Sequence, residues 1–123
     1  MENFRRFNTT DPYDRAWEVE FRWQQNAITI RHSDAVDVKF QVRQGEDVTE
    51  KVIALPHPDL VTWSRKSGHA ITDASVCRLA ALHLKEMIET DRDMEKTLVT
   101  TTLTDLERHS EKMFAPTTAS VRP

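Results

Sequence analysis

Between residues 17 and 55 apolar and polar positions alternate along the chain. Trp17, Val19, Phe21 and Trp23 share one side of an extended segment, with Glu18, Glu20 and Arg22 on the other. This two-residue period is the mark of a half-buried β-strand. Gln24-Gln25-Asn26 reads as a turn. Ile28 and Ile30 then resume one face, opposite Thr29 and Arg31, and Ser33-Asp34 reads as a second turn. Val36, Val38, Phe40 and Val42 alternate with Asp37, Lys39, Gln41 and Arg43, the most regular strand pattern in the chain. Gln44-Gly45-Glu46-Asp47 makes a third turn, where Gly45 can take the positive φ such turns use. Val48 to Leu55 reads as a fourth strand, ended by Pro56-His57-Pro58. Connections this short cannot hold parallel crossovers, so the strands are predicted to form an antiparallel meander. One face is apolar and the other charged, which predicts cover on one side only.

Past Pro56 the period changes. Pro58 to Lys66 predicts a short helix, with Pro near its start and Gly68 just beyond its end. Thr72 is a good N-cap, and Asp73 suits the positive end of a main helix running to about Thr90. On that helix Leu79, Val76, Met87, Ala80, Leu84, Cys77, Ile88 and Ala81 fall on one broad arc, with Arg78, Lys85, Glu86 and Glu89 opposite. Leu82 falls among the polar residues, as a lone exposed residue or part of a second contact surface. Residues 97–103 are rich in Thr and Val and fit an edge strand. Thr104-Asp105-Leu106-Glu107 matches a capping box opening a last helix to about Phe114.

The predicted fold class is therefore α+β: an antiparallel meander of four to five strands, one face covered by a main C-terminal helix plus shorter helices. Residues 1–15 are predicted as a loose N-terminal arm, 16–115 as one domain and 116–123 as a disordered tail. A chain of 123 residues suits a single domain. The hydrophobic fraction of 38% and mean hydropathy of −0.60 predict a compact core, or a core that leaves part of the chain outside.

Charge narrows the partners. Residues 1–56 carry 8 basic and 10 acidic groups, and residues 57–123 carry 9 and 10. No half is basic enough for binding to nucleic acid by counterion release. A regulator touching nucleic acid through Arg5, Arg6, Arg22, Arg31 and Arg43 is opposed by Glu18, Glu20 and Asp37 on the same polar face. Cys77 is the single cysteine, so no disulfide can form within the chain. The start, Met1 to Arg6, lacks the apolar stretch of a signal peptide, and no apolar run approaches the ~20 residues of a membrane span. These points predict a cytoplasmic protein without a membrane segment.

Two glycines, Gly45 and Gly68, leave no glycine-rich phosphate loop, and no cofactor is predicted. The histidines carry the most chemistry: His32, His57, His69, His83 and His109. His57, His69 and His83 lie around the junction of sheet and main helix, and Glu86 is three residues from His83 on the same helix side. His57, His69, His83 and Glu86 form a candidate metal set. Set against this, His83 lies at the edge of the apolar arc, where a half-buried structural histidine is ordinary. Ser64-Arg65-Lys66-Ser67-Gly68-His69 is a candidate site for a small anionic ligand such as a carboxylate or phosphate. The same two cations also suit the C-terminal end of a helix with no ligand at all. Cys77 falls in the apolar arc, where a buried thiol is inert. Trp17 and Trp23 on one strand face, with Trp63, read as core or as the wall of an aromatic pocket. These residues leave an interaction or oligomerisation module pairing as a homodimer, a small ligand- or metal-binding domain built on the histidines, and a weak nucleic-acid-associated regulator.

Overall fold

The Val36–Val42 alternation becomes the centre of a five-stranded sheet in the computed structural model, which describes residues 5–27 and 35–121. The strands are β1 (Arg6–Thr10), β2 (Ala16–Ala27), β3 (Ala35–Gln44), β4 (Asp47–Pro56) and β5 (Leu98–Thr100). The helices are α1 (His57–Ser67) and α2 (Asp73–Thr90), between β4 and β5, and α3 (Leu103–Val121). Spatial order follows chain order, β1-β2-β3-β4-β5. The first three pairings are antiparallel, as the short turns require. The last is parallel, Val52 to Leu98 through Ala54 to Thr100, because α1 and α2 carry the chain back across the sheet before β5. The α+β class and a mostly antiparallel sheet are as predicted; β2, β3 and β4 fall on three of the predicted strands, β1 was not among them, and β5 departs from the purely antiparallel arrangement.

Val19, Val36, Val38, Phe40, Val42, Ile53 and Leu55 turn the same way and are buried. Against them lie Leu60 and Trp63 of α1, then Val76, Leu79, Ala80, Leu84, Met87 and Ile88 of α2, and Leu106 of α3. Every member of the arc predicted on α2 is buried, Cys77 included, while Leu82 is half-buried. Phe21 and Phe40 meet edge to face with ring centroids 6.2 Å apart. The helix ends follow their sequence signals. Thr72 caps α2, its hydroxyl accepting from the Ser75 N–H while Ser75 Oγ accepts from the Thr72 N–H. Gly68 ends α1 in the left-handed region at φ 81°, its N–H bonded to the Ser64 carbonyl.

Five expectations change. Residues 6–10 are not part of a loose arm: they form β1, pairing from Arg6 with Glu20 to Thr10 with Ala16. Gln24-Gln25-Asn26 is not a turn but a stretch of β2 opposite Val38, Asp37 and Val36. Polar side chains hid this strand, since its backbone ladder pays no regard to them. The capping box on α3 is Thr102 with Asp105, two residues earlier than read: Asp105 N–H donates to Thr102 Oγ1 and Thr102 N–H to Asp105 Oδ2. The helix it opens continues to Val121, beyond Phe114 and into the stretch read as a tail. Ile28, Ile30 and the turn at Ser33-Asp34 fall outside the described residues.

The fifth change is a fault in the alternation. The register of β2 on β3 shifts between Phe21 and Trp23: Phe21 faces Phe40, but Trp23 faces Lys39. A bulge inserts one residue and reverses every later side chain. Trp23 therefore stands on the face away from the helices, 38% exposed, with Lys39 Nζ 5.4 Å from its ring centroid.

Among the described residues two charged groups enter the interior, and both are well bonded. Asp11, in the β1–β2 loop, accepts from the N–H groups of Tyr13 and Arg15, from Arg15 Nε at 2.6 Å and from Trp17 Nε1 at 3.0 Å. Burial acts to raise its pKa, but the hydrogen bonds from Trp17, Arg15 and Tyr13 outweigh it and hold it at about 2, below the ordinary 3.8. Lys51 takes an inward position on β4 opposite Phe40 and is only 6% exposed. Its ammonium donates to the Met94 carbonyl at 2.5 Å and the Lys96 carbonyl at 2.7 Å, fastening the α2–β5 connection to the sheet. Among the described residues no helix is long and apolar enough to cross a membrane.

Two outcomes follow for stability. Phe40→Ala should cost about 3–5 kcal/mol, the usual range for emptying a packed aromatic site, read as a lower urea midpoint at unchanged slope. The Asp11 contribution is fully present above its unfolded pKa near 3.8 and is lost as pH falls through about 2. Asp11→Asn should therefore destabilise the protein at neutral pH, and its gap from the parent should close between pH 4 and pH 2; a gap constant with pH would contradict the assigned hydrogen bonds.

Candidate functional site

The most unusual chemistry lies where α3 crosses α2. His83 sits at the border of the apolar arc of α2, one turn before Met87, and is 6% exposed. On α3, Leu106, His109 and Ser110 follow the three- and four-residue spacing of a buried face, and His109 is wholly inaccessible. The two imidazoles meet edge to face with centroids 5.2 Å apart, and His83 Nδ1 lies 3.0 Å from His109 Nε2. One nitrogen donates and the other accepts; which does so depends on the tautomers. His109 Nδ1 is buried without a partner.

One turn along α2 from His83, Glu86 is gripped by Arg108 of α3: Nε donates to Oε2 at 2.9 Å and Nη2 to Oε1 at 2.6 Å. Arg108 also reaches Asp105 at 2.8 Å. A bidentate guanidinium fixes both the position and the plane of the carboxylate. The Arg108 hydrogen bond lowers the Glu86 pKa. Asp105 is also lowered: burial acts to raise it, and bonds from Thr102 and Arg108 prevail. Burial lowers the pKa of His83, opposed in part by Asp105 and Glu86. Burial and the neighbouring His83 bring that of His109 down to about 4. Both shifts favour neutral rings at pH 7, and one proton lies between the two facing nitrogens.

Of the predicted metal set, His83 and Glu86 come together, and His109 joins them in place of His57 and His69. Among the described residues, one ligand atom each from His83, Glu86 and His109 lies within 4.8 Å of the others, and no other group of three does so. His57 is exposed at the start of α1, beside a concavity it shares with Ile71, Thr72 and Asp73. His69 lies against Trp63, ring centroids 6.2 Å apart. His32 falls outside the described residues. Sequence distance misled here: His57 opens α1, His69 follows its end and His83 lies within α2, whereas His109 is brought to His83 by helix packing. The signal for it was the spacing of Leu106 and His109, legible once α3 is accepted as a helix.

The loop residues proposed for an anion are engaged with one another. Ser64 Oγ donates to the His69 carbonyl, and Ser67 Oγ accepts from the His69 N–H. Lys66 pairs with Glu107 at 2.7 Å, and Arg65 lies exposed in the last turn of α1, where the helix dipole favours a cation. Cys77 is buried, and burial raises its pKa, the opposite of an activated thiol. Trp17 and Trp23 lie on opposite faces of the sheet and line no common pocket; Trp17 is held by Asp11, and Trp63 is in the core. On the outer face Arg6 and Arg22 both engage Glu20, at 3.1 and 3.7 Å. Arg31 is outside the described residues.

No family model matches the chain, and neither a curated protein nor a solved structure does so.

The neutral histidine pair makes folding depend on pH. His109 keeps a pKa of about 4 when folded against an ordinary 6.5. The unfolded chain binds the extra proton first, so stability is complete above pH 6.5 and falls as pH drops toward 4. In chelator-treated protein, urea midpoints at pH 7.5, 6 and 5 should decline. His109→Asn, which does not titrate there, should show a shallower decline; equal slopes would mean that His109 is not buried as a neutral ring.

Proposed function

We propose that this chain is an interaction module whose partner is a second copy of itself, docked through the sheet face that the helices leave uncovered. The observation that supports this reading is a row across four strands in which three apolar side chains are interrupted by one lysine. Trp23 pairs with Lys39, Lys39 with Val52 and Val52 with Leu98, so these side chains lie side by side on the outer face. Trp23 and Leu98 are 38% and 57% exposed, and Val48, further along the same face, is 46% exposed. Lys39 covers part of the Trp23 ring with its stem while its ammonium reaches Glu50 at 2.8 Å.

Charge favours a like partner. Glu18, Glu20 and Glu50 share this face with Arg6, Lys39 and Arg43. A two-fold axis through a face of mixed sign can set acids against bases, and two-fold pairs are the commonest soluble assembly. Size sets the strength. Strands about 4.8 Å apart, rising about 3.3 Å per residue, give these five strands a face of roughly 600 Å². Stable interfaces bury about 800 Å² on each partner. The expected association is therefore reversible and concentration-dependent.

Sedimentation velocity across a broad concentration range should show a monomer–dimer equilibrium. The double variant Trp23→Glu, Leu98→Glu should weaken it at least about tenfold, since each glutamate would have to be buried unpaired. A parent protein that stays monomeric at the highest concentration, or a variant that dimerises as well as the parent, would sink this reading.

A further inference from the structure

We propose that His83, Glu86 and His109 bind one divalent transition-metal ion of the zinc class, and that the ion clamps α3 onto α2. The residue types suit such an ion. Two imidazoles and one carboxylate are a borderline donor set, which takes zinc, cobalt or nickel in preference to calcium or magnesium. Their placement suits it as well. His83 and Glu86 are three apart on α2 and project from adjoining positions, while His109 arrives from the facing helix, so the ligands come from both sides of a helix crossing.

The distances are close to those a metal needs. His83 Nδ1 and His109 Nε2 stand 3.0 Å apart. Two nitrogens bound to a tetrahedral ion at about 2.05 Å lie roughly 3.3 Å apart, so a small rotation of either ring admits the ion between them. All three ligand atoms already lie within 4.8 Å of one another. Three protein ligands leave one position for a water molecule, on the half-buried Glu86 side.

Two further observations favour an ion over a plain hydrogen-bonded pair. First, the carboxylate is held from behind. Arg108 engages both Glu86 oxygens, yet each oxygen has a second lone pair, and ligands fixed by such outer partners are the usual construction around bound metals. Second, the two facing nitrogens already converge across the helix crossing: they share a single proton over 3.0 Å, and moving that proton to the far nitrogen of its own ring turns both lone pairs toward one point.

The test uses the full chain, stripped with a chelator and dialysed. Calorimetric titration with Zn²⁺ should give one ion per chain, and Co²⁺ should develop the visible absorption of a low-coordinate nitrogen–oxygen site. Zinc should also raise the melting temperature, as any ligand specific to the folded state does. His83→Gln, Glu86→Gln and His109→Asn should each weaken binding by roughly tenfold or more, whereas the double variant His57→Gln, His69→Gln should bind like the parent. Circular dichroism in chelator establishes that each variant is folded. If one is not, histidine ring signals of the parent provide the readout: zinc should shift those of His83 and His109 together. No uptake, no joint shift, or binding that disappears only when His57 and His69 are replaced would overturn the proposal. Metal uptake is read separately from self-association, so this site stands or falls apart from the dimer.

Discussion

The structure depends on keeping one row of side chains from water. Val36, Val38, Phe40 and Val42 project from β3, the central strand, and none can be hidden by its own strand or by the turns beside it. A sheet has a second surface for each buried one, so the cover has to come from elsewhere in the chain. It is α2, packed with Val76, Leu79, Ala80, Leu84, Met87 and Ile88 facing the sheet, that removes this row from solvent. Burial of side chains of this size is worth about 1.5–3 kcal/mol each, which exceeds what any surface ion pair here contributes. The ends of α2 matter for the same reason. The Thr72–Ser75 cap and the left-handed Asp91 fix where the helix starts and stops, and so which arc meets the strands.

Once that roof is in place, the polar groups inside it are constrained. Lys51 lies on the covered side of β4 and reaches two carbonyls of the α2–β5 connection, which places β5 beside β4. Asp11 gathers donors from its own loop and from Trp17, closing the β1–β2 hairpin against the inner face. His83 and His109 face each other because α3 lies along the roof, with Leu106 in the core beside them and Arg108 locked on Glu86. Each of these joins parts of the chain far apart in sequence or turns a loop sharply. None is a surface ornament, and the His83–Glu86–His109 cluster is the one that gathers three potential metal ligands.

The outer face follows a different logic. Alternation along β2 would have put Trp23 with Trp17, Val19 and Phe21. The bulge after Phe21 turns it outward, and it then lines up with Lys39, Val52 and Leu98. A single inserted residue thus moves a predicted core tryptophan to the outer face, in line with Val52 and the exposed Leu98. The proposed dimer face and the proposed metal site lie on opposite sides of the sheet, and neither needs the other.

The amino-acid order alone determined the local structure: strands where apolar residues recur every second position, helices where they recur every third and fourth, a stop at Gly68 and a start at Thr72. These are short-range effects of side-chain direction and backbone sterics, so they can be read within a window of a few turns. The pairing partners were decided only in three dimensions. β1 has too few apolar residues to announce itself and exists because β2 offers it a ladder. The parallel register of β5 depends on where two helices deliver the chain. His109 meets His83 only because α3 packs across α2. Such contacts arise from burial shared between distant segments, and no local pattern carries the distance over which that burial is shared.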